Sequence, residues 1–131
     1  MFFVSITRLR LRSIRFLFPF IWYSIGSFYQ AWRAQGNIEV KVRKTKGLTF
    51  WTLSLWKDRQ TMEVFRGRYP HKEAMQQLAN WCDEASFAHW EQESSVLSNW
   101  EIAAQQLRTL GRLSPLDHPS EHHKAGWIVT T

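Results

Sequence analysis

The stretch that decides the fold is Asn37-Ile-Glu-Val-Lys-Val-Arg-Lys-Thr-Lys-Gly-Leu-Thr-Phe-Trp-Thr-Leu-Ser-Leu-Trp56. As far as Arg43 its side chains alternate strictly between apolar and charged, which is typical of a strand with one face in water. Residues 44–47 supply a turn, and residues 48–56 are rich in Thr, Phe and Trp, as expected of a buried strand. The stretch therefore predicts a β-hairpin.

Further elements are predicted on both sides of this hairpin. Residues 2–11 alternate weakly and predict a first strand, and residues 13–34 have the spacing of a helix that ends at Gly36. Asp58 is a suitable N-cap for the helix that follows the hairpin. The remaining predicted elements are a helix from residue 71 to about 83, a short strand over 87–91, and a helix that begins with the capping box Ser98-Asn-Trp-Glu101 and ends at Gly111.

This order of elements predicts an α+β protein. It matches the ferredoxin-like β-α-β-β-α-β arrangement, an antiparallel sheet with helices on one face, with one additional C-terminal helix. The second face of the sheet is rich in aromatic side chains and also needs cover, which a two-fold related copy can supply. We therefore expect a homodimer that forms through the sheets. Its domain would occupy residues 1–95, and a capping helix and extended tail would occupy residues 96–131.

Residues 16–32 are apolar and follow four arginines, as a membrane anchor would. The stretch is shorter than the roughly 20 apolar residues of a span. It also carries a helical stripe formed by Leu17, Ile21, Ile25, Phe28 and Trp32. The stripe favours an amphipathic helix packed on the sheet. A membrane-surface helix within residues 8–33 is the second alternative and a true span is the third. No small-residue cleavage site follows, which argues against a signal peptide.

Charge is distributed unevenly along the 131 residues. Residues 1–46 hold nine Lys and Arg against the single acid Glu39, whereas residues 47–131 hold eight against ten acids. A basic segment can contact nucleic acid or an anionic membrane. No nucleic-acid-binding motif accompanies it, so we expect no nucleic-acid partner. The single cysteine, Cys82, excludes an intrachain disulfide and fits a reducing, cytoplasmic compartment.

Arginines alternate along the end of the first strand. Arg8, Arg10 and Arg12 would share one face if the strand continued, so they can bind an acidic ligand. Solvated charges at a strand end are the favoured alternative.

Aromatic and hydroxyl side chains of the second hairpin strand are candidates for a ligand pocket. One face of that strand carries Thr52, Ser54 and Trp56, a mixture of apolar surface and a few polar groups that suits a small-molecule site. Clustered Trp side chains also form cores and dimer interfaces, which is the competing interpretation. The predicted substrate-binding residues are Trp51, Thr52, Ser54, Trp56, Phe65 and Trp90.

Two histidines are candidate catalytic residues. His71 begins a helix, four residues before Met75, and His89 shares a strand face with Phe87 and Glu91. Either histidine can serve as a general base or as a haem ligand. The structural alternatives are a hydrogen bond at the helix start for His71 and a core position for His89. We expect no metal site, because three tail histidines lack fixed acidic or cysteine partners: His118, His122 and His123.

These residues lie in stretches that resemble a known superfamily. The sequence Thr49-Phe-Trp-Thr-Leu-Ser-Leu-Trp-Lys-Asp58, followed by Met62, Phe65, His71 and Met75, resembles the dimeric α/β-barrel superfamily, in particular its antibiotic-biosynthesis-monooxygenase-like group. Two further stretches are similar to an uncharacterised bacterial subgroup of it: Arg8-Leu-Arg-Leu-Arg-Ser-Ile-Arg-Phe-Leu17 and Ala79-Asn-Trp-Cys-Asp-Glu-Ala-Ser-Phe-Ala-His-Trp-Glu91. The resemblance covers roughly residues 1–95.

The resemblance implies a homodimeric, monooxygenase-like enzyme. Such a protein would bind a hydrophobic aromatic or polyene compound between sheet and helices and oxidise it without a cofactor. Some members of the superfamily bind haem and others have no known activity. The alternatives are therefore a haem-binding variant and a non-catalytic ligand-binding or interaction protein. The sequence contains no Gly-rich phosphate loop, nucleophile elbow or His-Glu-x-x-His motif, which argues against nucleotide-dependent, α/β-hydrolase and zinc-protease chemistry.

Overall fold

The computed structural model describes residues 1–68 and 71–131, with the side chain of His71 left out of the description. Five strands are described: β1 (Phe2–Leu11), β2 (Asn37–Lys44), β3 (Thr49–Trp56), β4 (Cys82–Gln92) and β5 (Arg112–Leu113). The helices described are α1 (Leu17–Arg33), α2 (Arg59–Arg66), α3 (His71–Trp81), α4 (Trp100–Leu110) and α5 (Glu121–Lys124), and a 3-10 turn (Ile14–Phe16) precedes α1.

The strands form one antiparallel sheet in the order β2-β3-β1-β4-β5. β1 lies at its centre and places Val4 opposite Leu55 of β3 and Trp90 of β4. The hairpin predicted from residues 37–56 is confirmed as the β2–β3 pair. The order of elements confirms the ferredoxin-like α+β fold, to which β5 adds a short edge strand.

Helices α1, α2 and α3 cover one face of the sheet, which we call the helical face. Two separate apolar clusters hold them there. The first cluster gathers Leu11, Phe20, Trp81 and Cys82, and the second gathers Phe3, Trp56 and Met62. Burial raises the pKa of the Cys82 thiol to about 12, so this cysteine packs as an unreactive apolar side chain.

Helix α4 and the C-terminal tail cover the opposite face, which we call the capped face. This cluster includes the following buried residues: Val4, Ile6, Trp51, Leu53, Leu55, Ala88, Leu97, Ala103, Ala104 and Leu107. The sequence-based argument for a homodimer is therefore wrong in its premise, because the face expected to need a second copy is buried by the chain's own helix. The homodimer itself stays a prediction.

Apart from Leu17, the predicted stripe of α1 points away from the sheet, so the predicted phase of that helix was wrong. Ile21, Ile25 and Trp32 are exposed, whereas Phe20 and Ala31 are the buried side chains of α1. Apolar residues surround this helix on all sides, so spacing alone does not identify the buried face. None of the described helices combines the length and the hydropathy that crossing a bilayer requires.

Two predicted boundaries also differ from the structure. β4 begins at Cys82 rather than near residue 87, because Asp83 and Glu84 form ion pairs with Arg10 and extend the strand. α4 is capped by Asn99, whose Oδ1 accepts a hydrogen bond from the Ile102 backbone at 2.9 Å. The expected Ser98 cap is therefore wrong by one residue.

Arg8 is the buried charge on which the capped face depends. It is 2% exposed, and its Nη1 donates to Glu84 Oε1 at 2.9 Å. Its Nε and Nη2 both donate to the main-chain oxygen of Thr131, at 3.2 and 2.9 Å. Ser120 Oγ donates to the other Glu84 oxygen at 3.0 Å. The predicted extended tail is consequently docked on the sheet.

The arginine row of β1 is engaged by the chain itself. Arg10 forms two hydrogen bonds with Asp83, which raise the pKa of its guanidinium, and Arg12 donates to the backbone and side chain of Asn80. These contacts explain why basic side chains can occupy the end of a central strand. Because these arginines already bond to the chain, the structure does not support the predicted binding of an acidic ligand. The alternative prediction, that the arginines are solvated charges at a strand end, is wrong for the buried Arg8.

We expect Glu84→Ala to lower the free energy of unfolding by about 3–5 kcal/mol, because it leaves the buried Arg8 charge without its carboxylate. Urea denaturation at neutral pH measures the change. The matched control is Glu121→Ala, which removes an exposed partner of Lys124 and should leave stability near that of the wild type. Equal effects of the two substitutions would show that the buried pair does not organise the fold.

Candidate functional site

The helical face of the sheet is open at its middle. Thr52 lies on the second strand of the sheet, paired with Thr7 of β1 and Val42 of β2, yet its side chain is exposed. Val42 is exposed as well, and Thr7 and Phe87 are half-buried. The two apolar clusters of this face lie on either side of that row. An uncovered strip of the sheet, centred on Thr7 and Thr52, therefore crosses the helical face between the two clusters, and we call this strip the groove.

The next row of the sheet adds polar groups to this floor. Ser5 of β1 lies opposite Ser54 of β3 on one side and His89 of β4 on the other. Ser54 is buried, and its Oγ accepts a hydrogen bond from Trp56 Nε1 at 2.9 Å. Because neighbours in a row lie about 4.5–5.5 Å apart, the hydroxyls and the imidazole form one continuous polar strip.

Aromatic rings border this strip. The His89 ring centroid lies 5.4 Å from that of Phe3 and 5.6 Å from that of Phe87. The Trp56 ring packs at 5.0 Å from that of Phe65 on α2. Apolar walls with a few hydroxyls and one imidazole are the usual composition of a small-molecule site.

His89 carries the chemistry of this strip. Its pKa is lowered from the ordinary value of 6.5, first because burial disfavours the imidazolium and then because Arg66 and Arg59 repel it. Arg112 acts in the same direction, and Glu63 opposes them. The imidazole is therefore neutral at neutral pH, the form in which it accepts a proton.

The structure divides the predicted substrate-binding residues into two groups. Thr52, Ser54 and Trp56 belong to the helical face, where Phe65 packs and His89 also lies. Trp51 and Trp90 belong to the capped face, because the sheet register places them with Arg8 and Val4. The prediction that all six residues line one pocket is therefore wrong: adjacent positions on a strand point to opposite faces.

Trp51 has a structural environment of its own. Its Nε1 donates to Thr45 Oγ1 at 3.1 Å, and the Arg43 guanidinium lies 4.7 Å from the ring centroids of both Trp51 and Trp100. These contacts attach α4 to the edge of the sheet. His71 was predicted to be catalytic, but its side chain lies outside the part of the chain that the structure describes, so this prediction is not tested.

Sequence reasoning missed four members of the site: Ser5, Thr7, Arg59 and Arg66. The weak alternation of residues 2–11 placed both hydroxyls on one face, but nothing in it distinguished a site from a packed strand. The two arginines reach His89 only through the packing of α2 on the sheet. No local spacing signals such an approach.

Two cavities lie elsewhere on the described part of the chain. One, of about 600 Å³, lies between α1 and α2 and is lined by residues that include Gln30, Arg33, Phe65 and Arg68. The other, of about 380 Å³, lies on the capped face beside Arg8. Within residues 1–68 and 71–131, no group of three or more His, Cys, Asp and Glu side chains is arranged to hold a metal ion.

Comparison with known proteins gives a likeness of fold alone. No family model matches the sequence, and no curated protein matches it. Among solved structures, a conserved protein from Methanosarcina mazei Go1 is 14% identical with a TM-score of 0.62, over 71% of this chain and 94% of that one. A protein from Nitrosomonas europaea, provisionally assigned as an antibiotic biosynthesis monooxygenase, is 13% identical with a TM-score of 0.63, over 73% and 94%.

A third similar structure has a stated activity. SnoaB, a cofactor-independent oxygenase from Streptomyces nogalater, is 9% identical with a TM-score of 0.56, over 74% of this chain and 98% of that one. This chain therefore has the ferredoxin-like fold that occurs in antibiotic-biosynthesis-monooxygenase-like proteins, as the resemblance in its sequence implied.

We expect the His89 imidazole to titrate below pH 6.5, and the double substitution Arg59→Gln/Arg66→Gln to raise its pKa because two repelling charges are removed. A pH titration of the histidine resonances by NMR measures both values. Arg108→Gln is the control, since Arg108 lies on the capped face and bonds Thr130. An unperturbed pKa in the wild type would contradict the assigned environment.

The lowered pKa of His89 also predicts how the stability of the fold depends on pH. The unfolded chain takes up the His89 proton at higher pH than the folded chain does, so stability should fall as the pH drops below about 6.5. His89→Gln should remove that part of the pH dependence and leave stability at pH 8 nearly unchanged. Thermal unfolding between pH 8 and pH 5 tests it, and an unaltered pH slope in the variant would count against it.

Proposed function

We propose that this protein binds an aromatic, enolisable small molecule in the groove of the helical face and oxidises it with molecular oxygen. The observation that carries the proposal is a half-buried His89 in one row with Ser5 and Ser54, next to the row in which the helices leave Thr52 uncovered. Burial and the nearby arginines lower the pKa of His89 and so favour its neutral form. His89 is the residue we assign as the general base. Ser5, Thr7 and Thr52 are the groups available to orient the substrate's oxygens.

The charges around His89 support the choice of an enolisable substrate. Arg59, Arg66 and Arg112 all contribute positive potential at the imidazole. The same potential stabilises an enolate or phenolate that forms beside it, because fixed positive charges stabilise the oxyanion without reorganising. Two features of the site therefore favour removal of a substrate proton: a neutral base, and positive charges that stabilise the resulting anion.

The proposed reaction balances without a further reactant. His89 takes one proton from the carbon next to the substrate's carbonyl, and the electron pair stays on the substrate as an enolate. The enolate reduces oxygen and forms a carbon–oxygen bond, and the peroxide that results takes back the proton. The same carbon carries a second hydrogen, and loss of that hydrogen with the outer hydroxyl of the hydroperoxide, as water, leaves a new carbonyl group. Each turnover consumes one substrate molecule and one oxygen molecule.

The fold is compatible with this chemistry. SnoaB, whose fold this chain shares, is a cofactor-independent oxygenase. At 9% identity that likeness supports a class of reaction for the fold and supplies no residue roles. A homodimer and a reaction without cofactor remain parts of the proposal.

A haem-binding variant of the fold is the second candidate. A neutral imidazole is the form of histidine that ligates haem iron, and the nearby arginines suit the carboxylates of the porphyrin. When bound, haem would supply the oxygen or electron chemistry, and His89 would hold it. The absorption spectrum of the purified protein with added haem distinguishes the candidates: a Soret shift absent in His89→Ala supports the haem protein.

Oxygen consumption tests the enzymatic proposal. With an enolisable polycyclic aromatic ketone as substrate, we expect His89→Gln to lower kcat/KM by about 10²–10⁴-fold, because the general base is lost. His118→Gln, an exposed tail histidine, is the matched control and should retain full activity. Wild-type activity in His89→Gln would overturn the assignment of the base. Binding without turnover in the wild type would leave a non-catalytic binding protein.

Binding has a test of its own. Thr52→Trp should fill the groove and weaken ligand binding at least about tenfold, while the fold is retained because the side chain points into open space. Calorimetric titration measures the affinity, and circular dichroism checks the fold. Ile102→Trp, on an exposed position of α4, is the control. Unchanged affinity in Thr52→Trp would place the ligand elsewhere.

A further inference from the structure

The outer side of α1 is a continuous apolar stripe that no part of the described chain covers. Phe18, Trp22 and Trp32 are 80%, 70% and 69% exposed. The other exposed members, which we include in the α1 stripe, are Ile14, Ile21, Ile25, Phe28 and Tyr29. Phe18, Trp22, Ile25, Tyr29 and Trp32 follow one another at spacings of four and three, so they lie along one line of the helix.

The area of this stripe exceeds what a monomer normally exposes. Large aromatic side chains present about 150–250 Å² each, so the exposed fractions amount to on the order of 1,000 Å². The largest apolar patch of a typical monomeric protein measures about 300–600 Å². The α1 stripe therefore has the size of an interaction surface.

The charges at its ends indicate the chemistry of that partner. Arg15 follows Ile14 at the start of the stripe and Arg33 follows Trp32 at its end, both exposed, about 25 Å apart along the helix. Arg68 adds a third cation in the cleft between α1 and α2. The sequence contains no Asp or Glu before Glu39. An apolar stripe between basic ends complements a surface that is apolar and carries negative charge.

A second copy of the chain fits these charges poorly. If two α1 stripes paired antiparallel, Arg15 of one copy would approach Arg33 of the other. Parallel pairing would bring each arginine against its equivalent. Neither arrangement offers an acidic residue from this helix, so the ends repel.

We propose that α1 lies in the surface of a membrane that contains anionic lipids. Its aromatic stripe would enter the boundary between headgroups and acyl chains, where Trp and Tyr are favoured. Its terminal arginines would contact lipid phosphates and carboxylates. The helix lies flat in this arrangement, in keeping with a helix too short and too polar to cross. The proposal is independent of the chemistry assigned to His89.

Vesicle co-sedimentation tests it with the full chain. We expect binding to vesicles of phosphatidylcholine with about one phosphatidylserine in four lipids, weaker binding to phosphatidylcholine alone, and partial release by high salt. Trp22→Ser/Trp32→Ser should reduce binding at least about tenfold. Trp127→Ser is the matched control, because Trp127 is 62% exposed but lies on the tail outside α1. If Trp22→Ser/Trp32→Ser unfolds, Phe18→Ser replaces it.

Separate variants test the proposed contacts between the terminal arginines of the stripe and anionic lipids. Arg15→Gln and Arg33→Gln should each weaken binding about fivefold on the anionic vesicles and leave binding to neutral vesicles unchanged. Lys124→Gln, on α5, is the control. Wild-type protein that stays in the supernatant with anionic vesicles overturns the proposal. So does a dimer in solution that Trp22→Ser/Trp32→Ser converts to a monomer without any vesicle binding, since the stripe would then be a contact between copies.

Discussion

A buried guanidinium constrains this structure more than any other group. Arg8 stands on the central strand under the C-terminal tail, where an unpaired charge would cost several kcal/mol. Glu84 on the neighbouring strand, with the main-chain oxygen of Thr131, satisfies it. Because Glu84 also accepts from Ser120, one carboxylate connects two strands and the tail. The capped face is therefore closed by the chain itself.

Because the capped face is closed, the helical face is the better candidate for a site. On the helical face, the two apolar clusters are separated by a row of hydroxyl side chains, and Thr52 remains exposed on an interior strand. Its polar character, beside a neutral His89, is what makes this groove the best candidate for chemistry. The exposed face of α1 is a separate feature that gives the molecule a second surface without a partner in the chain.

The sequence predicted the fold in those places where periodicity decides the structure. Strict alternation over residues 37–43 located the hairpin, and the order of elements gave the ferredoxin-like topology. Periodicity failed for α1, because apolar residues surround it and both faces fit the same spacing. The error for Trp51 and Trp90 has another origin, because strand alternation itself separates Trp51 from Thr52 and Trp90 from His89, and the predicted set of site residues combined both faces. The C-terminal capping helix was predicted, but the face that α4 covers was not, because that contact joins segments distant in the chain.

Part of the candidate site could be predicted from the sequence. Thr52, Ser54 and His89 follow from strand parity, and their grouping holds in the structure. The cations that lower the pKa of His89 could not be inferred, because α2 brings them close only after packing.

The most direct test of the central claim is an NMR map of ligand contacts. Amide and methyl spectra would be recorded with an enolisable polycyclic aromatic ketone added in steps. The structure predicts shifts at Thr7, Thr52 and His89 on the helical face and none at Leu53 or Trp90 on the capped face. Shifts confined to the capped face, or to the cavity between α1 and α2, would contradict the account.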